Sequence, residues 1–463
     1  MGKLQAGNYI LNNLTLISEN NFVDITGIFT EINIFESIFS PTISGYIEIT
    51  DANNIISGLN SLPILGNEGL FIELEVPVHK YIDPKNKNSL DNQKTIDRNK
   101  IKYFGRILDI RNRTMLNERS QTYELHFVSE EAILNRNIKI SKSYTNKTTE
   151  QIIKSIYEDF KTNGTYEFEH TMKPKDFYNF IIPNWNPLYT IDWLASRSIS
   201  RTYNTPTFFF FQTLYNDGPT EGERAGYTSS RYNEEVTSKF WFLSLDDMLA
   251  YDAKKTIFFR PGNLPDTSDL QNNSEFSNAS NYEVVNSFNT IENNTTGLYN
   301  STLIYHNITN KEWDKIEFNY EKSFDKFQHL AKNKIYSGMK NILDKRFDDS
   351  SYKQSKIILT SLGTKENNNQ LDLISSVKLS RLSSLNYYRI KIEVPGDATL
   401  QSGDVIKFDL PSPESGGEKK FDKYYSGNFL ITAIRHVINR SSYNMTLECS
   451  KESLEKEVIQ QNA

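Results

Sequence analysis

The stretch that decides the fold is Gly69–Pro77, which reads GLFIELEVP, because its pattern returns near the other end of the chain as GDVIKFDLP at residues 403–411. Apolar side chains alternate along the first stretch, which is the period-two pattern of a β-strand with one face buried. A proline ends each stretch, since proline cannot donate a hydrogen bond to a neighbouring strand. The two stretches therefore predict two equivalent strands, one in each half of the chain.

Further landmarks follow these two strands in the same order. The first copy continues with YFGRI at 103–107 and YELHF at 123–127, and the second with YSGNF at 425–429 and YNMTL at 443–447. Order, spacing and polarity match, so the sequence predicts one small antiparallel β-barrel used twice. Glycine at a strand start leaves room for a bulge or sharp bend. The structural motif positions of the two barrels are Gly69, Pro77, Gly105, Gly403, Pro411, Gly427 and His436.

Helical patterns lie between the two copies. Thr148 and Gln151 form a capping-box signature before a helix, and Asn186-Pro187 is a typical start of a second one. With two aromatic strands behind them, they predict an α/β unit over about 140–250. Residues 264–301 are dense in Asn, Ser and Thr, which predicts a flexible connection or a long surface loop. Apolar side chains spaced by turns predict a helix over 313–343.

The predicted fold class is therefore β-rich α+β, with two similar small antiparallel β-barrels interleaved with two α/β insertion domains. The first barrel domain spans 1–135 and is completed by strands near 240–262. The α/β insertion domain spans 136–250, a second mixed α/β domain spans 251–370, and the second barrel domain spans 371–463.

Composition excludes several classes of function. The 463 residues hold 52 Lys and Arg against 58 Asp and Glu, and no strongly basic block, so binding to duplex nucleic acid is not expected. The single cysteine, Cys449, cannot form an internal disulfide, and we expect it to be a buried strand residue. No apolar run approaches the roughly 18 residues that span a bilayer, so no membrane segment is expected.

Catalytic signatures are missing from the sequence. The six histidines lie far apart and no zinc, phosphate-loop or nucleophile-elbow motif occurs, so we expect no catalytic residue, no cofactor and no metal. Glu130 and Glu131 are adjacent and should point apart, whereas glycosidase carboxylates face one sugar. Asp246-Asp247 is compatible with a cation site, but the start of a helix is the simpler interpretation. His436 is expected to have a hydrogen-bonded structural role.

In the residues of the two predicted barrels, the chain resembles the central baseplate hub proteins of contractile-tailed bacteriophages and, more distantly, the hub part of type VI secretion spikes. The matching segments are 22–38, 45–51, 127–130 and 396–436. The resemblance implies tail-tube-like barrels, a homotrimeric ring, a tail tube seated on one face and the central spike beneath the other. The loops 80–102 and 213–239 are longer than a minimal hub needs, which leaves their contacts open.

The function that this resemblance implies is structural and non-enzymatic. A trimer of a chain with two equivalent modules presents six similar surfaces, and so joins a sixfold tail tube to a threefold spike while lining a channel for DNA in transit. The implied partners are the chain itself, the tail tube or tube-initiator protein and the central spike, with tape measure and inner baseplate proteins beyond them. The implied location is the baseplate of the virion, assembled in the host cytoplasm.

Two alternatives stay open from the sequence. The first is a tail-associated enzyme that degrades the cell envelope, or a carbohydrate-binding module that grips it through rings such as Trp185 and Trp193. The second is the hub of a secretion spike, which differs little in its physics from a phage hub.

Overall fold

The computed structural model describes residues 6–18, 21–52, 64, 66, 68–77, 98–161, 164–167, 177–217, 238–259, 277–307, 311–335, 356–362, 373–410, 421–422 and 424–455. Strands dominate these residues, and most of them are linked by hydrogen bonds into one large mixed sheet. The described part of the chain is therefore β-rich, as the sequence predicts.

The elements alternate between long runs of strands and short helices. The strands are β1 (Ile10–Ser18), β2 (Asn21–Asp24), β3 (Phe29–Ser37), β4 (Ser44–Asp51), β5 (Gly69–Pro77), β6 (Arg98–Met115), β7 (Gln121–Ser129), β8 (Ser143–Thr148), β9 (Gly164–Glu167), β10 (Phe177–Ile181), β11 (Phe208–Asp217), β12 (Ser238–Ser244), β13 (Lys255–Phe259), β14 (Asn278–Ala279), β15 (Asn281–Ser287), β16 (Asn300–Asn307), β17 (Glu312–Asn319), β18 (Lys356–Leu362), β19 (Tyr388–Pro395), β20 (Val405–Asp409), β21 (Gly427–Asn439) and β22 (Tyr443–Lys451). The helices are α1 (Glu130–Asn137), α2 (Thr149–Phe160), α3 (Pro187–Ala195), α4 (Leu245–Leu249), α5 (Thr290–Thr296), α6 (Tyr320–Ser323) and α7 (Lys378–Ser384).

The N-terminal strands form an antiparallel block in the order β2–β1–β5–β6–β7–β4–β3. Along β4 and β7 every second residue is buried, as expected for strands with one face on the core. For β5 the prediction of one buried face is wrong. Phe71 is also buried, where it packs with Phe104, and Glu73 is buried near the ammonium of Lys100.

The C-terminal strands form a second block in the order β15–β19–β22–β21–β20, all antiparallel. Strand β13 adds to β20 in parallel, so Lys255–Phe259 pairs within this block, although the sequence led us to expect it in the first barrel. The two blocks are joined because β21 also pairs with β3. The strand order thus runs without a break from the first block into the second.

The α/β unit between the blocks is built as its sequence signals predict. Helix α2 begins with a capping box in which Thr148 and Gln151 satisfy each other's amides, which confirms that prediction. Helix α3 begins with Pro187 after Asn186. The side chain of Asn186 makes no cap and instead donates to the carbonyls of Asn135 and Ile138. Both helices pack their apolar stripes on the aromatic strands β11 and β12.

The prediction of a flexible connection or a long surface loop over 264–301 is wrong for its described part, residues 277–301, which include β14, β15 and α5. Residues 264–276 lie outside the described ranges. Strand β15 pairs with β19 along most of its length, and α5 follows with Asn289 as its N-cap. The polar composition misled the prediction because Asn and Thr also serve as caps and as exposed strand residues.

The helix predicted over 313–343 is wrong in its first part. Trp313 lies in β17, which pairs with β16 over its whole length, and β18 adds to the other edge of β16. The pairing with neighbouring strands overrides the local helical spacing. The helix α6 and a 3-10 turn at Phe324–Lys326 follow, and residues 336–343 lie outside the described ranges.

Two large hydrophobic cores hold the described residues together. One runs through both strand blocks, from Leu14 and Ile47 to Ile392 and Leu447. The other lies under the α/β unit. Among the described residues no helix is both long and apolar enough to cross a bilayer.

Candidate assembly surfaces

Four of the motif positions named from the sequence lie at strand ends or in turns, and two lie inside strands. Gly69 and Pro77 are the first and last residues of β5, Gly427 begins β21, and His436 lies inside β21. The expectation that Gly105 lies at a strand start is wrong, because β6 already pairs with β5 from Arg98. Gly403 lies in the turn before β20. Pro411 lies outside the described residues.

The strand pairings give an alignment of the two repeat copies that differs from the alignment of Gly69 with Gly403 expected from the sequence. Gly69 pairs with Arg106, and Val405 pairs with Leu430. Arg106 and Leu430 are equivalent, because each lies two residues before the bulge of its strand. Gly69 is therefore equivalent to Val405, two residues beyond Gly403. The shift of two residues keeps every side chain on the same face of the sheet, since side chains alternate along a strand.

Gly427 is held in a conformation that only glycine adopts easily. Its φ is 124°, and a Cβ atom built there would lie 2.6 Å from Cγ of Glu455 and 3.0 Å from Nζ of Lys451. The side chain of Lys451 is buried beneath this turn, where its ammonium donates to the carbonyls of Ser426 and Tyr424. Burial lowers the pKa of Lys451 to about 8.

His436 lies buried where the two strand blocks meet. Nδ1 of His436 is hydrogen-bonded to the hydroxyl of Tyr443 at 2.7 Å, and burial keeps the pKa of Tyr443 well above its usual value. The other ring nitrogen lies 3.5 Å from Oε1 of Glu36, whose Oε2 accepts the amide of Leu214 at 3.0 Å. These contacts tie the junction of the blocks to strand β11.

Arg435 covers the same junction on its outer face. Its Nε donates to Oδ1 of Asn33 at 2.8 Å, and its guanidinium lies 3.6 Å from Glu31 and 5.9 Å from the ring of Phe35. One arginine of the second block thus binds three side chains of β3 in the first block. The contact between the two blocks therefore includes both the backbone pairing of β3 with β21 and these side-chain contacts.

Large apolar side chains are exposed along two further segments of the chain. Large exposed apolar groups usually mark contact surfaces when they lie together. One segment is β15 with the turn behind it and the start of α5, and the other is the C-terminal half of β6. The members are Val284, Val285, Phe288 and Ile291 in the first segment and Leu108 and Met115 in the second.

A buried cluster of charges joins four remote segments of the chain. Arg381 of α7 lies 3.0 Å from Asp246 and 3.8 Å from Glu452, and Nδ1 of His329 lies 2.6 Å from the same carboxylate of Glu452. All four side chains are at least 94% buried. Burial raises the pKa of Glu452, but the contacts with His329 and Arg381 outweigh it and hold this pKa below the usual value.

The sequence did not reveal this cluster, because its members are far apart and each has an ordinary neighbourhood. For Asp246-Asp247 the prediction of a helix start is confirmed, although Ser244 is the N-cap of α4 and Asp247 interacts with its hydroxyl. Asp246 has a different role, since its carboxylate accepts from Arg381 and from the amide of Gln328.

The tryptophans considered for sugar binding stack on other protein rings. Trp193 stacks on Phe180 at 4.8 Å between centroids, with Arg197 at 3.9 Å over its ring, and Trp185 meets Tyr189 at 5.1 Å. Both indoles are half-buried against the core of the α/β unit. Their faces therefore contribute to packing.

A cleft of about 710 Å³ opens beside this aromatic group. Its walls include the exposed rings of Phe39 and Tyr189 and the polar side chains Asp192 and Lys378. Burial lowers the pKa of Lys378, whose ammonium donates to the carbonyl of Ser196 at 3.2 Å. The cleft could hold an apolar group beside a polar one.

The other residues considered for catalysis or metal binding are buried or form contacts within the protein. Arg106 donates to Glu130 through Nε at 2.9 Å, and Glu131 is buried. Cys449 is fully buried in β22, and burial raises the pKa of its thiol. Within the described ranges, no three His, Cys, Asp or Glu side chains lie close enough together to hold a metal ion.

Comparison with known proteins gives similarity only in the fold. No family model matches the sequence, and no curated protein matches it. Among solved structures, a tail protein from Neisseria meningitidis MC58 superposes with a TM-score of 0.51 at 10% identity, over 96% of this chain and 97% of that one. The 43 kDa tail protein of prophage MuSo2 from Shewanella oneidensis gives 0.48 at 9%, over 96% and 99%. The Francisella PdpA–VgrG complex gives 0.46 at 10%, over 100% and 56%. The resemblance to phage tail proteins that the sequence predicts is therefore confirmed at the level of the fold.

Proposed function

We propose that this chain is the structural hub of a contractile tail baseplate. The observation that carries the proposal is the pair of strand blocks, which have equivalent bulges in β6 and β21 and are joined edge to edge through β3. A chain that repeats one module and already pairs its two copies has the form of a ring segment. The tail protein of similar fold is consistent with that role.

The proposed assembly is a homotrimer. Three chains with two similar blocks each provide six similar units around one axis, while the rest of the chain repeats only three times. Such a ring fits a sixfold tail tube on one face and a threefold spike on the other. Binding and geometry carry this function.

The proposed domains follow the sequence boundaries. A first barrel occupies 1–135 and a second 371–463, with the α/β insertions 136–250 and 251–370 between them. The alternating burial of β4, β7, β19 and β22 supports two curved sheets with one inner face each. Strands β13 and β15 are best assigned to the second barrel, because β13 extends β20 and β15 pairs with β19.

The channel of the ring would let DNA pass during infection. A formal net charge of −6 favours passage without binding, since like charges repel. The partners proposed for the two faces are the tail tube or its initiator and the central spike, with tape measure and inner baseplate proteins beyond them. The chain would then belong to the virion, after assembly in the host cytoplasm.

The solution mass of the purified chain tests the trimer. We expect light scattering to give three times the 53.6 kDa chain mass, and pull-down to show binding to the tube and spike proteins of the same virus. A monomer that binds neither would contradict the adapter function. Genes for a capsid and a tape measure beside this one would separate a phage hub from the hub of a secretion spike.

Degradation of the cell envelope is the competing function, and a direct assay separates the two. We expect no soluble product when the chain is incubated with peptidoglycan, because Arg106 binds Glu130, and Trp185 and Trp193 stack on other protein rings. Product formation that is lost in a Glu130→Gln or Glu131→Gln variant would favour the enzyme.

A further inference from the structure

The two strand blocks are equivalent at the level of single hydrogen bonds. The amide of Ile107 donates to the carbonyl of Glu68 at 2.8 Å, and the amide of Ile431 donates to that of Asp404 at 2.9 Å. In both strands the residue that follows is a bulge. Asp109, Ile110 and Arg111 of β6 therefore correspond to residues 433–435 of β21.

The outer strands of the two blocks are equivalent as well. Ile32 of β3 pairs with Ile47 of β4, and Tyr282 of β15 pairs with Ile392 of β19. Ile47 and Ile392 in turn pair with Leu125 of β7 and Leu447 of β22, which occupy matching positions. Glu283 of β15 thus corresponds to Asn33 of β3.

The equivalent edges differ in whether they are occupied. On β21 one edge pairs first with β20 and then, from Ala433 to Asn439, with β3. On β6 the corresponding edge pairs with β5 up to Arg106, and beyond Leu108 no described strand pairs with it. The outer edge of β15 likewise has no partner among the described strands. The pairing of β3 with β21 is therefore formed once within the chain. The equivalent edges, on β15 and on the C-terminal half of β6, have no partner among the described strands.

We infer that these two edges meet between copies of the chain, the C-terminal half of β6 in one copy pairing antiparallel with β15 of the next. The inference rests on the proposed trimer and specifies its subunit contact. The partner of each free edge is a second copy of the chain, because the equivalent strands β3 and β21 pair with each other. A head-to-tail contact closes into a ring when the rotation between successive copies is a whole fraction of a full turn, as the proposed trimer requires.

Charge complementarity supports this contact. Arg111 takes the place of Arg435, whose Nε binds Asn33, and the residue equivalent to Asn33 is Glu283. The guanidinium of Arg111 is 55% exposed, and its Nε donates to Oδ2 of Asp109 at 2.8 Å. Its charge also helps to lower the pKa of Glu124, which lies opposite on β7. If β15 of one copy lies on β6 of the next as β3 lies on β21 within one chain, the carboxylate of Glu283 comes close to Arg111. This placement also covers the exposed side chains of Val284, Val285 and Leu108.

Charge reversal tests the contact. We expect Arg111→Glu and Glu283→Arg each to raise the concentration at which half the chains are trimeric by about tenfold, because each brings like charges together. The double variant Arg111→Glu/Glu283→Arg should return to near the wild-type value. Lys315→Glu, an exposed change on β17 of the separate three-stranded sheet, is the control and should leave it unchanged.

Cross-linking tests the register. The chain with Asp109→Cys and Phe288→Cys should give covalent dimers and trimers with a short bismaleimide. With the bulge of β15 between Val284 and Asn286 counted, these positions match Ala433 and Ser37, which pair in β21 and β3. The control Ala433→Cys/Ser37→Cys should cross-link within one chain, without a gain in mass. The native Cys449 is fully buried and should not react.

The outcomes separate this inference from the proposed function. A wild-type trimer that is insensitive to both charge reversals, and whose cysteine pair stays monomeric on denaturing gels, overturns the β6–β15 contact but keeps the hub. A wild-type chain that is monomeric at every concentration overturns the trimer itself.

Discussion

The guanidinium of Arg381 lies 3.0 Å from the carboxylate of Asp246, and both side chains are buried to within 2% of full burial. This contact joins α7 to the start of α4. Removal of one partner would leave a buried charge without compensation, so we expect Arg381→Met to lower the free energy of unfolding by about 3–5 kcal/mol. Urea unfolding at fixed protein concentration measures the change.

A matched control is available in the sheet. Arg389 pairs with Glu448, and both side chains are about a quarter exposed. Because water screens this pair, Arg389→Met should change the free energy of unfolding by about 1 kcal/mol or less. Equal effects of the two substitutions would contradict the role of the buried cluster.

The carboxylate of Glu452 should make the stability of the chain depend on acid pH. Its pKa is held below the usual value of 4.5, so the folded state is favoured above that pH and loses this contribution as the pH falls through the lowered pKa. Glu452→Gln should therefore be less stable than wild type at pH 7, and the difference should shrink below about pH 4.5. Unfolding curves between pH 7 and about pH 3 measure this. A constant difference would contradict the prediction, and the exposed Glu317→Gln is the control.

Lys451 should make the stability depend on alkaline pH, in the same sense as Glu452 does at acid pH. Its pKa is about 8 in the fold and 10.5 in the open chain, so the unfolded state binds more protons between these values. The stability of wild type relative to Lys451→Met should rise with pH in this window by about 1.4 kcal/mol per pH unit. Lys407→Met, on the neighbouring strand β20 and half-exposed, is the control and should show no such slope. A flat difference for Lys451→Met would contradict the prediction.

Substitution of glycine tests the turn at the start of β21. Gly427→Ala forces a side chain into a positive φ and against Glu455, so we expect the free energy of unfolding to fall by about 1–3 kcal/mol. Gly27→Ala is the control, because no atom lies within 4 Å of its added Cβ. Thermal unfolding compares the two, and a similar effect for both would show that the turn tolerates a side chain.

Local signals in the sequence predicted the parts of the fold that local contacts decide. The capping box at Thr148 depends on a residue three positions away, and the strand pattern of Gly69–Pro77 depends on alternation within nine residues. The repeat was visible for the same reason, because each copy preserves its own alternation. The alignment of the two copies was wrong by two residues at Gly69, because glycines in turns mark equivalent positions less accurately than strand pairing does.

Long-range contacts decided what the sequence could not predict. Trp313 has a helical neighbourhood but lies in a strand, because β16 pairs with it. The cluster around Arg381 draws its members from positions 246, 329 and 452, and no pattern links them. The junction of the blocks was missed for the same reason, since Asn33 and Arg435 are 402 residues apart.

That separation has a consequence for folding on the ribosome. Strand β3 is among the first to be made, but its second edge is filled only by β21, the penultimate strand of the described chain. Until then the backbone N–H and C=O groups along this edge of β3 are open to other nascent chains, and unpaired edges are where β-proteins aggregate. Contacts so distant in sequence also close slowly, because the loop must lose its entropy first. Soluble yield should thus respond more to translation rate and chaperone supply than to substitutions in the first strands.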